Sequence, residues 1–158
     1  MKNLLLLSLS LLFFTCAPRP ATMGKTPVAI AGPTIYIGYT GGWGGGQAFK
    51  LEGGELFESV KERALGGPAE ITGEQAYRPL KSATGQAAMR ALADRYTPNI
   101  FAGVAPKFDC PEAAYDGVCP YFIIIENGEP QAWTRSKDDK NAEFLRFMNE
   151  VEEALTKV

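Results

Sequence analysis

Residues 121–135 read YFIIIENGEPQAWTR, and this stretch decides the fold. Tyr121 to Glu126 is rich in β-branched and aromatic residues, Pro130 to Arg135 is a second extended segment, and Asn127-Gly128 stands between them. Asn-Gly supplies two neighbouring residues that tolerate positive φ, which a type I′ turn needs if its twist is to match that of paired strands. The stretch predicts an antiparallel β-hairpin. In its second strand Trp133 alternates with Gln131 and Arg135, so this face meets solvent or a helix, and Trp133 is expected to pack in the core. Downstream, Phe144, Phe147, Met148, Val151 and Leu155 form one apolar stripe in a helix from about Lys140 to Lys157, with Ser136 or Asp138 as its cap. That stripe should cover one face of the sheet.

Upstream, Thr34-Ile35-Tyr36-Ile37-Gly38-Tyr39 reads as a strand, the glycine-rich stretch Thr40 to Gly46 as a turn, and Gln47 to Leu51 as a second strand. Gly53-Gly54 turns the chain into a third strand, Glu55 to Val60. Gly66 to Gly73 is a loop by its Gly-Gly-Pro punctuation. The Ala-rich segment after Thr84, running to about Tyr96, is a helix with Met89, Leu92 and Tyr96 at helical spacing and Thr84 as N-cap. Thr97-Pro98-Asn99 stops it, and an irregular stretch runs to Pro120. A meander, a helix, a hairpin and a helix, in that order, describe an α+β domain with a small antiparallel sheet packed against two helices.

The first residues are of another kind. Leu4 to Phe14 is an apolar run broken by Ser8 and Ser10 and preceded by Lys2, the pattern of a signal peptide. As a helix it would cover about 16 Å, short of the roughly 20 apolar residues that span a bilayer. Phe13-Phe14-Thr15-Cys16 follows and resembles the bacterial lipobox, in which the cysteine at the cleavage point is acylated; Phe13 and Phe14 depart from its usual Leu and small residues. The resemblance implies a signal peptide over 1–15, palmitate-type lipid on Cys16, a Pro-rich tether over 16–33 and a single domain over 34–158. It also implies a bacterial cell-envelope location, lipid-anchored at the outer membrane. With Cys16 committed to lipid, Cys110 and Cys119 remain as an even pair in an oxidising compartment and are expected to form a disulfide. Closing so short a loop stabilises the fold by about 2.5 to 3 kcal/mol.

Composition excludes several functions. Removing residues 1–15 takes away Lys2 and no acid, leaving 15 Lys and Arg against 18 Asp and Glu, a net charge of −3. The cations are scattered, without the basic face that nucleic-acid binding requires. The chain has no histidine, which rules out Ser-His and Cys-His dyads and every histidine-containing zinc site. Gly24-Lys25-Thr26 resembles the tail of a nucleotide-binding loop, but Arg19 stands where that motif needs its earlier glycine. No cofactor site, metal site or catalytic set is read. Glu52, Glu55, Glu58 and Asp109 lie near turns and leave open a carboxylate-based enzyme acting on an envelope glycan. Glu143, Glu150, Glu152 and Glu153 give the last helix an acidic, solvated face.

The most unusual local feature is Gly41-Gly42-Trp43-Gly44-Gly45-Gly46, where a large amphipathic ring stands among residues that allow close backbone approach. Gly41, Gly42, Trp43 and Gly44 are the candidate binding residues; alternatively, Trp43 folds back over the sheet edge and the glycines shape a bulged turn. From Thr34 onward the order of elements, with Gly41-Gly42-Trp43 and the Asn127-Gly128 hairpin carrying Trp133, resembles a Bacteroidetes-type family of uncharacterised bacterial lipoproteins. That resemblance implies fold and location and brings no activity. Gly41-Gly42-Trp43-Gly44-Gly45 after a strand is also similar to the turn of emfourin-type inhibitors of thermolysin-like metalloproteases, which implies protease inhibition as an alternative. The leading expectation is a non-enzymatic, lipid-anchored envelope binding module whose partners are the membrane, through Cys16, and an envelope protein or ligand.

Overall fold

A computed structural model describes residues 32–42, 46–61, 66–74 and 76–158. The hairpin forms as its sequence predicts. Strands β5 (Cys119–Glu126) and β6 (Glu129–Thr134) pair antiparallel with Phe122 opposite Trp133, and Asn127 and Gly128 occupy the turn at φ 56° and 85°. The free edge of β5 takes β1 (Thr34–Thr40), whose register runs from Thr34 opposite Ile125 to Thr40 opposite Cys119. β2 (Phe49–Glu52) and β3 (Glu55–Ser59) continue the sheet through a Gly53-Gly54 turn, and β4 (Tyr77–Pro79) closes its edge. The six strands lie in the order β4-β3-β2-β1-β5-β6, every neighbouring pair antiparallel.

Strand alternation divides the sheet residues between two faces. Ile35, Ile37, Leu51, Leu56, Phe122, Ile124 and Trp133 share one face with α1 (Ala83–Arg95), which contributes Met89 and Leu92, and α2 (Ala142–Leu155), which contributes Phe144, Phe147, Met148 and Val151. Phe101 lies at its centre, its ring stacked 4.0 Å from Trp133 and meeting Phe144 and Phe147 edge-on. The Trp133 indole N–H donates to the Val104 carbonyl at 3.3 Å, so the ring is buried with its polar atom satisfied. The opposite face carries Tyr36, Ala48, Tyr121, Ile123 and Ala132. It is covered by Ile71 from a single π turn (Glu70–Glu74) and by Phe108.

Several boundaries differ from the sequence expectation, for identifiable reasons. Thr84 is not the cap of α1: the Ser82 hydroxyl accepts from the Gly85 amide at 3.0 Å. Neither Ser136 nor Asp138 caps α2. Asn141 does, its side-chain oxygen accepting from the Phe144 amide at 3.0 Å, while Ser136 and Asp139 close a separate turn ahead of it. Both caps sit three residues before the amide they satisfy, and each segment offers several polar residues able to do so. The Gly66 to Gly73 loop contains most of the π turn, and β4 follows it unforeseen, because three residues are too few for alternation to register. The irregular stretch to Pro120 contains two single-turn helices, Pro98–Phe101 and Pro111–Tyr115, each opened by a proline.

Candidate functional site

The end of β1 and the start of β5 meet where Thr40 faces Cys119. Two loops converge there: the turn after β1 and the loop closed by the Cys110–Cys119 disulfide, whose Cα atoms are 5.6 Å apart. Gly41, at φ 94°, lies so close to the disulfide loop that a Cβ on it would stand 2.8 Å from Cys110 Sγ and 3.0 Å from the Gly117 carbonyl. Glycine is required there both for its left-handed backbone and for its lack of a side chain. Gly42, at φ 63°, faces the carbonyls of Asp116 and Gly117. The Gly-Gly pair therefore seats the turn against the disulfide loop.

A carboxylate holds the same loop from the other side. Glu112 Oε1 accepts from the Lys137 amide at 2.8 Å and the Ser136 hydroxyl at 3.2 Å, tying the loop to the β6–α2 connection. The Lys137 N–H bond is the main cause holding the Glu112 carboxyl below the ordinary carboxylate range. Glu112 Oε2 lies 3.1 Å from Cys119 Sγ and 4.0 Å from Cys110 Sγ; disulfide sulfurs carry no proton, so neither approach is a hydrogen bond. Cys110, Glu112 and Cys119 have the spacing of a metal-ligand cluster, but both sulfurs are committed to each other. The base of the loop is further fixed by buried Thr134, whose hydroxyl accepts from the Asp109 amide and lies within hydrogen-bond reach of the Asp109 carbonyl.

Above this base the loop is open to solvent. Tyr115 is 85% exposed and Val118 is 49% exposed, two of the three large hydrophobic residues that stand out on the described surface. Asp116 follows Tyr115 in the left-handed region at φ 59°, and the Gly117 amide donates back to the Glu112 carbonyl at 2.9 Å. This tight return turns the Tyr115 side chain out at the crest. What the arrangement offers is a rigid loop with an aromatic tip.

Of the residues singled out from sequence, Cys110 and Cys119 are joined, and Gly41 and Gly42 sit against them. Cys16, Trp43, Gly44, the signal peptide and nearly all of the tether lie outside the described residues. Tyr115, Val118 and Glu112 were missed. The proline start and the Asp116-Gly117 turn signal mark Tyr115 as a crest residue, whereas no local pattern links Glu112 to residues 136 and 137. The acidic candidates for catalysis are dispersed: Glu52 pairs with Lys50 at 2.9 Å, Glu58 with Arg78 at 2.7 Å and Asp109 with Lys107 at 3.0 Å, while Glu55 is exposed beside the Gly53-Gly54 turn.

Grooves among the described residues are open. One of about 440 Å³ lies where Pro33 and Thr34 meet the end of β5, lined by Ile125, Glu126 and Asn127; one of about 290 Å³ lies between the Gly53-Gly54 turn and α1, lined by Leu51, Arg90 and Asp94; and one of about 150 Å³ lies between α1 and α2, lined by Ala88, Leu92, Glu150 and Ala154. A small-molecule site encloses most of its ligand, and these do not. Among the described residues no helix is long and apolar enough to cross a membrane. Comparison with protein-family models and with characterised proteins found no match.

Proposed function

We propose that this protein is a lipid-anchored, non-enzymatic binding module of the bacterial cell envelope that offers its disulfide loop, with the neighbouring Gly41-Gly42 pair, to a protein partner. The observation that carries the reading is Tyr115, 85% exposed on a short loop whose base is held by a disulfide, a buried threonine and the Glu112 carboxylate. A loop held in this way loses little conformational freedom on docking, and tyrosine supplies a large contact area with few rotatable bonds. The polarity of β1 supports the same reading. The chain enters the sheet at Thr34, and the loop stands at the far end of this seven-residue strand, about 23 Å away. The chain from a lipid on Cys16 would then join the domain at the end opposite the loop.

The test uses the producing cell. A photo-crosslinking amino acid placed at position 115 is expected to yield one discrete protein adduct, which the same group at exposed Glu55, on the tether end, does not give. The adduct should disappear when Cys110→Ser and Cys119→Ser are introduced together. Equal adducts from positions 115 and 55, or none from 115, would remove the loop as the docking site. Intact-mass spectrometry of membrane-extracted protein tests the anchor separately. A chain beginning at Cys16 with added acyl mass is expected, and an unacylated chain with another start would rule the anchor out.

A further inference from the structure

The two sulfurs of the disulfide are not equivalent. Cys119 is 1% exposed and paired within the sheet, whereas Cys110 is half-buried, so of the two Cys110 is the more open to a thiol arriving from solvent. In thiol–disulfide exchange the incoming thiolate bonds to one sulfur, the S–S bond breaks, and the other sulfur leaves with the bonding pair as a thiolate. Attack on Cys110 therefore makes Cys119 the leaving group. That is the sulfur with Glu112 Oε2 only 3.1 Å away. The carboxylate cannot easily swing aside, because its other oxygen accepts from Lys137 and Ser136.

We propose that Glu112 guards the disulfide against reduction, its fixed charge opposing both the approach of an anionic thiolate to Cys110 and the build-up of thiolate on Cys119. Completing the reduction takes two equivalents of thiol. The first leaves a mixed disulfide on Cys110 and a Cys119 thiolate that takes a proton from solvent. The second releases the Cys110 thiol and the oxidised reductant. Like charges this close and partly solvated slow the first step by about three- to tenfold, and salt weakens the effect. Gly41 adds to the protection by standing against Cys110 Sγ on the side of the β1 turn.

The test is the rate at which the oxidised full-length chain is reduced by glutathione, followed by acid quenching, alkylation and mass spectrometry. Glu112→Gln keeps an oxygen to accept from the Lys137 amide and loses only the charge. It is expected to react about three- to tenfold faster than the wild type, with the gain shrinking in high salt. Ser136→Ala removes one bond to Oε1 and keeps the charge, and its rate should stay close to that of the wild type. The first mixed disulfide should map to Cys110 in all three proteins. A wild-type rate for Glu112→Gln, a first adduct on Cys119, or a gain in Ser136→Ala equal to that of Glu112→Gln would overturn the proposal; the last would mean that loop opening, not charge, controls access.

Discussion

The two faces of the sheet are closed in different ways. On one, two helices of 13 and 14 residues lay Met89, Leu92, Phe144, Phe147, Met148 and Val151 over the strands, and Phe101 fills the middle. On the other, Ile71 from one π turn and Phe108 from an irregular segment cover Tyr36, Tyr121 and Ile123. That segment is secured chiefly at its ends: Lys107 exchanges backbone hydrogen bonds with β6 at 2.9 and 3.0 Å, and the disulfide follows immediately. The helical face is held by apolar area, while the tyrosine face depends on a few hydrogen bonds and one cross-link. The candidate docking loop is continuous with the second kind of cover.

This difference sets an order of mutational costs. Phe147→Ala, in the helical face, should destabilise the protein by about 3 to 5 kcal/mol, because the packed surroundings cannot collapse into the space. Ile71→Ala removes an equally buried side chain, but from a single turn that can settle inward, and should cost nearer 2 kcal/mol. Urea unfolding with unchanged slope measures both, and equal losses would mean that the two covers are equally rigid. Replacing Cys110 and Cys119 by serine together should cost about 2.5 to 3 kcal/mol. Hydrogen exchange in that variant should rise at Lys107 and Asp109 and stay unchanged in α2, since the cross-link anchors only the cover of the tyrosine face.

The helical face is also the part that the sequence displays best. Phe144, Phe147, Met148 and Val151 form a stripe because a helix long enough for four turns repeats its signal, and Asn127-Gly128 names its own turn. The tyrosine face is nearly silent in the sequence, because its cover is one turn and a segment without periodicity. The candidate site divides in the same way. Gly41 and Gly42 stand out in the sequence, but their reason is the loop from Cys110 to Val118, some seventy positions away. The disulfide follows from counting cysteines, whereas the attachment of Glu112 to Lys137 is tertiary and leaves no local trace. Helix caps failed by a few residues because Ser82, Thr84, Ser136, Asp138 and Asn141 are all competent, and packing selects among them.

The tyrosines make the second face the more sensitive to alkali. Burial holds the hydroxyls of Tyr36, Tyr77 and Tyr121 protonated above their ordinary range, as it does for Tyr39 and Tyr96 at the rim of the helical face. A tyrosine with a raised folded pKa contributes its full stability below about pH 10, where the unfolded chain is also protonated. Above that the unfolded chain releases protons that the folded protein keeps, so stability falls as pH rises from about 10 toward each folded pKa. Tyr77→Phe tests the link directly. It loses the 2.8 Å bond to the Ile71 carbonyl and should cost about 1 kcal/mol at pH 7, yet the gap from wild type should narrow between pH 10 and 11.5. A constant gap across that range would show that Tyr77 ionises alike in both states.

Tyr121→Phe is the smallest expected change and the most informative in sign. Its hydroxyl is fully buried against Gly38, where a Cβ would stand 2.5 Å from the oxygen, and it has no hydrogen-bond partner among the described residues. An unsatisfied buried hydroxyl forfeits its bonds to water without replacing them, at a cost of about 1 to 3 kcal/mol, whereas the ring buries the same apolar area with or without it. Removing the hydroxyl should therefore leave stability unchanged or raise it by about 1 kcal/mol, with little disturbance to Phe108 or Ile123. Thermal unfolding at pH 7 gives the answer. A loss of more than about 1 kcal/mol would mean that the hydroxyl has a partner in the native protein, and that the tyrosine face is closed by one more polar bond than the described residues provide.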